Sequence, residues 1–195
     1  MKKLNLGSGG YQKEGFVNLD WNRLNNPDVV HDLNKLPYPF SDNYFDYVEA
    51  SHVLEHLDKP FLVMEELHRI LKNGGKLAIK VPHFSRGFTH AEHSHGFDVT
   101  FPFYFNKRLG GALSGYRGFE FELEKTEFHW LAFMHLLPML GYNKIVVLLL
   151  SLANKIVSFL ANLSPQFCSR IWCYWVGGFE EIEFRFIAKK IIPHS

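Results

Sequence analysis

The first half of the chain alternates short apolar runs rich in β-forming residues with turn and helix signals. Such alternation predicts a parallel sheet wrapped by helices, that is, an α/β core. Five runs predict strands, and each is four to seven residues long. The predicted strands cover residues 3–6, 16–20, 29–32, 45–50 and 76–82.

One helix is clearly predicted ahead of the fifth strand, over residues 61–72. Asp58 and Pro60 mark its start, and the dipeptide Asn73-Gly74 ends it, as expected for helix boundaries. Its apolar residues share one helical face. They are Val63, Met64, Leu67, Ile70 and Leu71.

Farther along the chain, apolar and charged residues alternate strictly over 119–124 and again over 181–186. Strict alternation predicts half-exposed strands, and these two could pair as an antiparallel hairpin at one edge of the sheet. Between them, residues 131–178 contain no aspartate or glutamate. Apolar residues at helical spacing from Ile145 to Leu163, between Pro138 and Pro165, predict a helical insertion. We expect one domain over 1–195, with a Rossmann-like sheet, an antiparallel edge hairpin and this insertion.

The apolar stripe of the insertion has three interpretations. It could pack on the sheet, form a homodimer interface, or lie on an anionic membrane surface, because Lys144 and Lys155 are the only charges that flank it. A spanning segment is not expected, since the longest uninterrupted apolar run, 145–150, is too short. The N-terminal residues do not resemble a secretory signal.

Composition narrows the class of protein further. The 195 residues are 47% apolar, and 21 basic side chains face 20 acidic ones, for a net charge of +1. This balance provides no broad basic surface, so nucleic acid is not an expected partner. Cys168 and Cys173 are too few for a disulfide framework or a four-cysteine zinc site. We expect a cytoplasmic protein.

Candidate ligand-binding residues follow the first three predicted strands in order. Gly7-Ser8-Gly9-Gly10 follows the first strand, Asp20 ends the second, and Asp32-Leu33 ends the third. Open α/β sheets bind ligands at the carboxyl ends of their strands. A carboxylate at Asp20 could accept hydrogen bonds from two ribose hydroxyls. Asp32 could accept from an adenine amino group, with Leu33 against the ring.

These segments, with 45–57 and 66–75, resemble the class I S-adenosylmethionine-dependent methyltransferases and are similar to the type 11 methyltransferase domain. The resemblance is dense over 3–83. It implies S-adenosylmethionine as cofactor and S-adenosylhomocysteine as product. It places Gly7 and Gly9 at the methionine part, Asp20 at the ribose, and Ser51 and His52 near the methyl group. The implied cofactor residues are Leu6, Gly7, Ser8, Gly9, Asp20, Trp21, Asp32, Leu33, Ser51 and His52.

The resemblance also implies a methyl acceptor that is a small molecule or a sugar-containing intermediate of cell-surface biosynthesis. Asn5 departs from the pattern, because many relatives have an acidic residue just before the glycine turn. If the acceptor is a hydroxyl, a histidine could take its proton. The candidate catalytic residues are His52, His83, His90 and His93. We interpret His56 as a packing residue.

The segment 83–95 is rich in histidine and leaves alternatives open. It could contact substrate or transfer a proton, bind a metal as in a hydrolase, or serve no chemical role. The spacing of His93, His95 and Asp98 does not match binuclear hydrolases, so no metal ligands are assigned. The surrounding aromatic residues could form a substrate wall or part of the core. They are Phe84, Phe88, Phe97, Phe101, Phe103, Tyr104 and Phe105.

Two other functions remain in view. One is a metal-dependent hydrolase that uses the 83–95 loop. The other is a non-catalytic adaptor that binds a membrane or a partner and keeps a vestigial cofactor site.

Overall fold

A computed structural model describes residues 1–87, 90–109 and 117–190, and its strands form one sheet. The order is β3-β2-β1-β4-β5-β7-β6, with the first five strands parallel and β7 antiparallel to both of its neighbours. The strands are β1 Lys3–Leu6, β2 Val17–Asp20, β3 Val29–Val30, β4 Phe45–Ser51, β5 Leu71–Pro82, β6 Glu120–His129 and β7 Glu181–Lys189. This arrangement confirms the predicted Rossmann-like sheet with an antiparallel edge pair.

Four α-helices accompany the sheet in the described residues. They are α1 Pro60–Ile70, α2 Phe84–Gly87, α3 Lys144–Leu163 and α4 Pro165–Arg170. Short 3-10 turns occupy Arg23–Asn25, Leu54–His56, Phe101–Tyr104, Lys107–Leu109, Met134–Leu136 and Trp172–Tyr174. The connection from β1 to β2 contains no helix, and the one from β2 to β3 contains only a 3-10 turn.

The two faces of the sheet differ in chemistry, and α1 packs on one of them. Leucine, valine and phenylalanine side chains of one face form the core with α1 and the segment 97–105. The opposite face is polar. Its cross-strand ion pairs include Lys80 of β5 with Glu183 of β7 over 3.7 Å, and Arg185 of β7 with Glu127 of β6 over 3.8 Å. Polar pairing on this face replaces the apolar contacts that a covering helix would need.

Strand β6 is half-exposed as predicted, but β7 is buried along most of its length. It lies between β5 and β6, and Glu181 and Glu183 are each 6% exposed. Burial of these carboxylates is tolerated because each has basic partners. Glu181 binds His52, while Glu183 lies near Arg185 and Lys80.

The insertion 131–178 lies beside the outer edge of the sheet, and α3 covers part of strand β6. One side of α3 bears three polar side chains at four-residue spacing, which places them in one row. The Asn162 amide accepts from the Phe128 N–H over 2.8 Å and donates to its C=O over 2.9 Å. Ser158 accepts from the Trp130 N–H, and Asn154 pairs with both backbone groups of Leu131. Helix side chains thus satisfy the backbone of an edge strand.

The opposite side of α3 does not pack on the sheet. Its side chains are 45 to 70% exposed, and we call them the apolar face of α3: Ile145, Leu148, Leu149, Leu152, Ile156, Phe159, Leu160 and Leu163. The helix is also long and apolar enough, by length and composition alone, to cross a membrane. Uninterrupted apolar runs alone do not reveal this helix, because Ser151, Asn154, Lys155 and Ser158 interrupt its apolar sequence. Trp175, which follows α4 in the same insertion, is also 73% exposed.

Candidate functional site

The glycine turn after β1 is held in a conformation that suits glycine. Gly7 has φ +63°, and a Cβ there would lie 2.5 Å from a methyl carbon of Val53. Gly9 has φ +51° with open space around it. The N–H of Ser8 donates to the C=O of Leu19 over 3.0 Å, which ties the turn to β2. The Ser8 hydroxyl is buried and has no hydrogen-bond partner among the described residues.

Asp20 ends β2 with its carboxylate turned toward this loop, and it is only 5% exposed. One oxygen accepts from the Gly9 N–H over 2.7 Å, and the other accepts from the Asn22 N–H over 2.8 Å. A carboxylate has about four acceptor positions. Asp20 therefore orients the turn and keeps the capacity to accept further hydrogen bonds.

A cavity of about 610 Å³ lies at the tips of β1, β2 and β3, and we call it the strand-tip cavity. Asp20, Asp32 and Leu33 line it together, in the strand order expected from the sequence. The Tyr38 hydroxyl donates to the C=O of Leu33 over 3.1 Å and fixes that part of the wall. The full lining is Gly7, Asp20, Trp21, Asp32, Leu33, Asn34, His52, Val53, His56, Leu57 and Glu92. The chain's own side chains leave this space open.

A second cavity, of about 720 Å³, lies beside the first and shares Gly7, His52 and His56 with it. We call it the glycine-turn cavity. The rest of its lining is Asn5, Ser8, Gly9, Tyr11, Lys13, Ser51, Glu55, Pro82, Arg86, His90, His93, Phe133, His135, Leu136 and Glu180. Residues from both halves of the chain therefore meet at this cavity.

The predicted cofactor residues line one cavity or the other, with one exception. Leu6 is fully buried in the hydrophobic core and lines neither cavity. Its side chain points into the core because side chains alternate along a strand. Leu6 follows Asn5, which faces the glycine-turn cavity. The Asn5 amide donates to Asn18 and to the C=O of Tyr11.

His52 lies at the junction of the two cavities, directly after β4, with φ +55°. Its Nε2 lies 2.9 Å from a Glu181 oxygen, and its Nδ1 lies 3.2 Å from Glu55. Burial alone would lower the pKa of His52, but the hydrogen bonds to Glu181 and Glu55 raise it to about 9. The imidazole is therefore cationic at neutral pH, which disfavours it as a proton acceptor.

His83 is not at either cavity. It is fully buried, and its two ring nitrogens lie 2.7 Å from the Ser85 hydroxyl and 2.9 Å from the Ser169 hydroxyl. Burial lowers the pKa of His83 to about 4, so the ring is neutral. The structure thus contradicts a catalytic role for His83 and shows a packing residue that bridges two hydroxyls.

Three histidines cluster at the mouth of the glycine-turn cavity. The rings of His90 and His93 stack with centroids 4.7 Å apart, and the His56 ring lies 4.9 Å from that of His93. The Ser94 N–H donates to the C=O of Glu55 over 2.9 Å and holds the loop there. The interpretation of His56 as a packing residue was wrong, because its side chain is exposed and lines both cavities.

The aromatic segment after the histidines belongs mostly to the core. Phe97, Phe101 and Phe105 are buried, whereas Phe88 lies outside the described residues. The aromatic wall of the cavity comes from elsewhere. Phe133 lines it with its ring centroid 5.2 Å from that of His52. Phe133 could not be predicted from a local motif, because it belongs to the insertion, which is far in sequence from the predicted site residues.

Comparisons with known proteins agree with this geometry. Residues 12–79 match the family model described as Methyltransferase domain. Across 97% of the chain, the fold superposes on a SAM dependent methyltransferase from Archaeoglobus fulgidus, with a TM-score of 0.53, 18% identity and 86% of that chain covered. The chain therefore has the class I methyltransferase fold, and its residues 12–79 match a methyltransferase domain.

The same class I fold occurs in a protein described as the [4+2]-cyclase SpnF. The superposition covers 98% of the present chain and 75% of the cyclase chain, with a TM-score of 0.54 and 15% sequence identity. Demethylmenaquinone methyltransferase of Listeria welshimeri is 40% identical over 55 residues, which are 28% of this chain and 23% of that protein. The chain therefore spans about a quarter of the length of the curated relatives it matches. Fold likeness alone does not fix the reaction.

Proposed function

We propose that this protein transfers a methyl group from S-adenosylmethionine to a small molecule or a sugar-containing acceptor. One observation carries the proposal. A glycine turn, the Asp20 carboxylate and Asp32-Leu33 line one open strand-tip cavity, next to a second cavity that has room for an acceptor. The match of 12–79 to the methyltransferase family model supports the cofactor.

The residues present fit such a cofactor. Asp20 keeps acceptor capacity at the strand tips, where a ribose would need it. The buried Ser8 hydroxyl, which has no partner among the described residues, offers a polar contact beside the open Gly9 backbone. A sulfonium cofactor has no phosphate to bind, so close backbone approach matters more than an anion site. The bound cofactor supplies an electrophilic methyl group.

The chain's own residues then position and shield the reactants. Methyl transfer is an in-line displacement, so its rate depends on holding acceptor and methyl group in line while water is excluded. In our proposal the adenosine part occupies the strand-tip cavity and the methionine part extends past Gly7 toward Ser51. Phe133 and Leu136 form the apolar wall of the glycine-turn cavity, where the acceptor binds.

The glycine-turn cavity suits a small acceptor. Its volume of about 720 Å³ lies within the usual range for small-molecule sites. Its lining combines apolar side chains with Lys13, Arg86 and Glu180, which could orient hydroxyl or carboxyl groups. Of the predicted bases, His90 and His93 line this cavity, while His52 is held as a cation.

The proposal is tested by incubating the purified chain with methyl-labelled S-adenosylmethionine and a panel of phenols, hydroxy acids and nucleotide sugars. We expect label transfer to at least one class, with matching formation of S-adenosylhomocysteine. The Asp20→Asn variant serves as the matched control and should transfer much less label. Failure of the chain to bind S-adenosylhomocysteine at all would overturn the proposal.

A further inference from the structure

Glu55, His56 and His93 place one donor atom each within 4.8 Å of one another at the glycine-turn cavity. We infer that these three residues bind a divalent transition-metal cation. Two histidines and one glutamate match the protein ligands of some catalytic zinc sites, in which a fourth position stays open. Imidazole also favours zinc, copper, nickel or cobalt over calcium or magnesium.

A second observation at Glu55 points to a ligand. The Glu55 side chain is fully buried, and one carboxylate oxygen accepts from His52. The other oxygen, Oε2, is buried without a hydrogen-bond partner among the described residues. An unsatisfied buried carboxylate oxygen is costly, and coordination to a cation would satisfy it.

The backbone also prepares the cluster. Glu55 and His56 are consecutive in the 3-10 turn Leu54–His56, which follows β4. His93 comes from the loop after β5 and is held beside them by the Ser94 N–H, which donates to the Glu55 C=O over 2.9 Å. Residues distant in sequence are thus fixed at one point by a main-chain contact.

The position of the cluster indicates which ligand the cation would take. Its three residues line the cavity proposed above for the acceptor. A cation with an open position there would bind an oxygen donor, such as a hydroxyl or carboxylate of the acceptor. His93 would then be a metal ligand rather than a base. The metal site itself does not depend on methyl transfer, although the acceptor role rests on the proposed function.

Cobalt binding tests the metal site directly. The full chain is treated with a chelator, dialysed and titrated with Co²⁺, with visible absorption as the readout and Zn²⁺ as competitor. We expect one Co²⁺ per chain, displaced by Zn²⁺. His56→Asn and His93→Asn should each weaken binding by at least about tenfold, because even outer partners of a metal ligand contribute that much.

His135→Asn is the matched control, since His135 lines the same cavity outside the cluster. It should leave Co²⁺ affinity unchanged. Absence of saturable Co²⁺ binding, or equal loss in His135→Asn and His93→Asn, would overturn the inference. Binding of S-adenosylhomocysteine to the metal-free chain is measured in parallel, so failure of the cofactor site and failure of the metal site are distinguished.

An independent observation concerns the apolar face of α3. The geometry points to this face as a docking surface for an anionic membrane. Its side chains are exposed, and residues 131–178 contain lysine and arginine but no acidic residue. Exposed Tyr142, Tyr174 and Trp175 belong to the same insertion, and such aromatic residues are enriched at membrane interfaces. A cationic amphipathic helix of this kind binds the interface of anionic lipids.

Two arguments favour the membrane surface over other modes. Asn154, Ser158 and Asn162 bind the backbone of the segment 128–131, so α3 lies along the sheet edge and is placed to rest on a bilayer rather than cross it. In a two-fold dimer the same patch meets itself. In such a dimer, Lys144 and Lys155 would face the insertion of the second copy. That insertion contains no acidic residue to pair with them.

Vesicle co-sedimentation tests the docking surface. The full chain should sediment with phosphatidylcholine vesicles that contain phosphatidylglycerol, and much less with phosphatidylcholine alone. Leu148→Glu should abolish this binding. Leu24→Glu is the matched control, because Leu24 is 92% exposed outside the insertion, and it should bind like the unaltered chain. Absence of vesicle binding, or a concentration-dependent dimer that Leu148→Glu dissociates without any lipid binding, would overturn the inference.

Discussion

The carboxylate of Asp20 accepts a hydrogen bond from the backbone N–H of Gly9 over 2.7 Å. This contact joins the end of β2 to the turn that follows β1, so two sequence signals form one structural unit. The unit lines both cavities, because Gly9 faces the glycine-turn cavity and Asp20 faces the strand-tip cavity. Its integrity is central to the proposed cofactor site.

Asp20→Asn should weaken S-adenosylhomocysteine binding by about 10- to 100-fold, since hydrogen bonds to charged groups contribute roughly 1.5–3 kcal/mol. The variant keeps the shape of the side chain but loses the negative charge and one of the two carboxylate oxygens. A ribose hydroxyl would donate its hydrogen bond to such an oxygen. Titration calorimetry measures the affinity. Asp42→Asn is the control, because Asp42 lines neither cavity and pairs with Arg69. Equal affinities of both variants would contradict the role of Asp20.

Gly7→Ala should destabilise the fold by about 1–3 kcal/mol, because the added Cβ overlaps Val53 and the backbone has positive φ. Gly74→Ala is the control, since Gly74 has φ +76° with no atom near its Cβ position. Urea denaturation should show the larger loss at Gly7. Adding Val53→Ala should recover part of it. Additive effects of the two substitutions would contradict the proposed overlap.

His83 should make stability fall on acidification. Burial holds its pKa to about 4 in the folded chain, below the ordinary value of about 6.5. Between these two pKa values, His83 is protonated in the unfolded chain but neutral in the folded chain. The contribution of His83 to the free energy of unfolding is therefore fully present above about pH 6.5 and is lost as the pH falls toward 4. The free energy of unfolding should therefore change by up to about 1.4 kcal/mol per pH unit in this range.

His83→Gln should remove that slope in urea denaturation and cost about 1–3 kcal/mol at pH 7, because Ser85 and Ser169 lose a matched partner. It should leave S-adenosylhomocysteine affinity unchanged. His135→Gln, at an exposed cavity residue, should keep the slope of the unaltered chain. If the stability of His83→Gln fell on acidification as steeply as that of the unaltered chain, the role of His83 in acid sensitivity would be contradicted.

Asn162→Ala should loosen the outer edge of the sheet. Both backbone groups of Phe128 lose their partner, which costs about 1–3 kcal/mol. Hydrogen exchange at the Phe128 amide should therefore accelerate. Asn143→Ala removes the cap of the same helix, where Asn143 accepts from the Val146 N–H over 2.9 Å, and should leave the Phe128 amide protected. Unchanged protection in Asn162→Ala would show that α3 does not cover this edge.

Local signals were enough to predict the parallel strands and the residues at their tips that line the strand-tip cavity. The glycine turn, Asp20 and Asp32 each follow a short apolar run, and the carboxyl ends of parallel strands meet at one edge of the sheet. The exact boundaries differ by a few residues. Most of the predicted cofactor residues line a cavity for the same reason, since a strand's carboxyl end can be read from its sequence.

Contacts between distant segments could not be predicted in the same way. Burial of Glu181 depends on its pairing with His52, and nothing near either residue indicates the other. The approach of His93 to Glu55 includes a backbone hydrogen bond from Ser94 to Glu55, between segments far apart in sequence. The row of Asn154, Ser158 and Asn162 was a readable signal, because polar residues four apart mark one side of a helix.

Calorimetric titration of the unaltered full chain with S-adenosylhomocysteine tests the central claim most directly. We predict saturable binding of one molecule per chain, competed by S-adenosylmethionine and weakened by Asp20→Asn. No detectable binding by a chain that is folded by circular dichroism would contradict the assignment of the strand-tip cavity as a cofactor site.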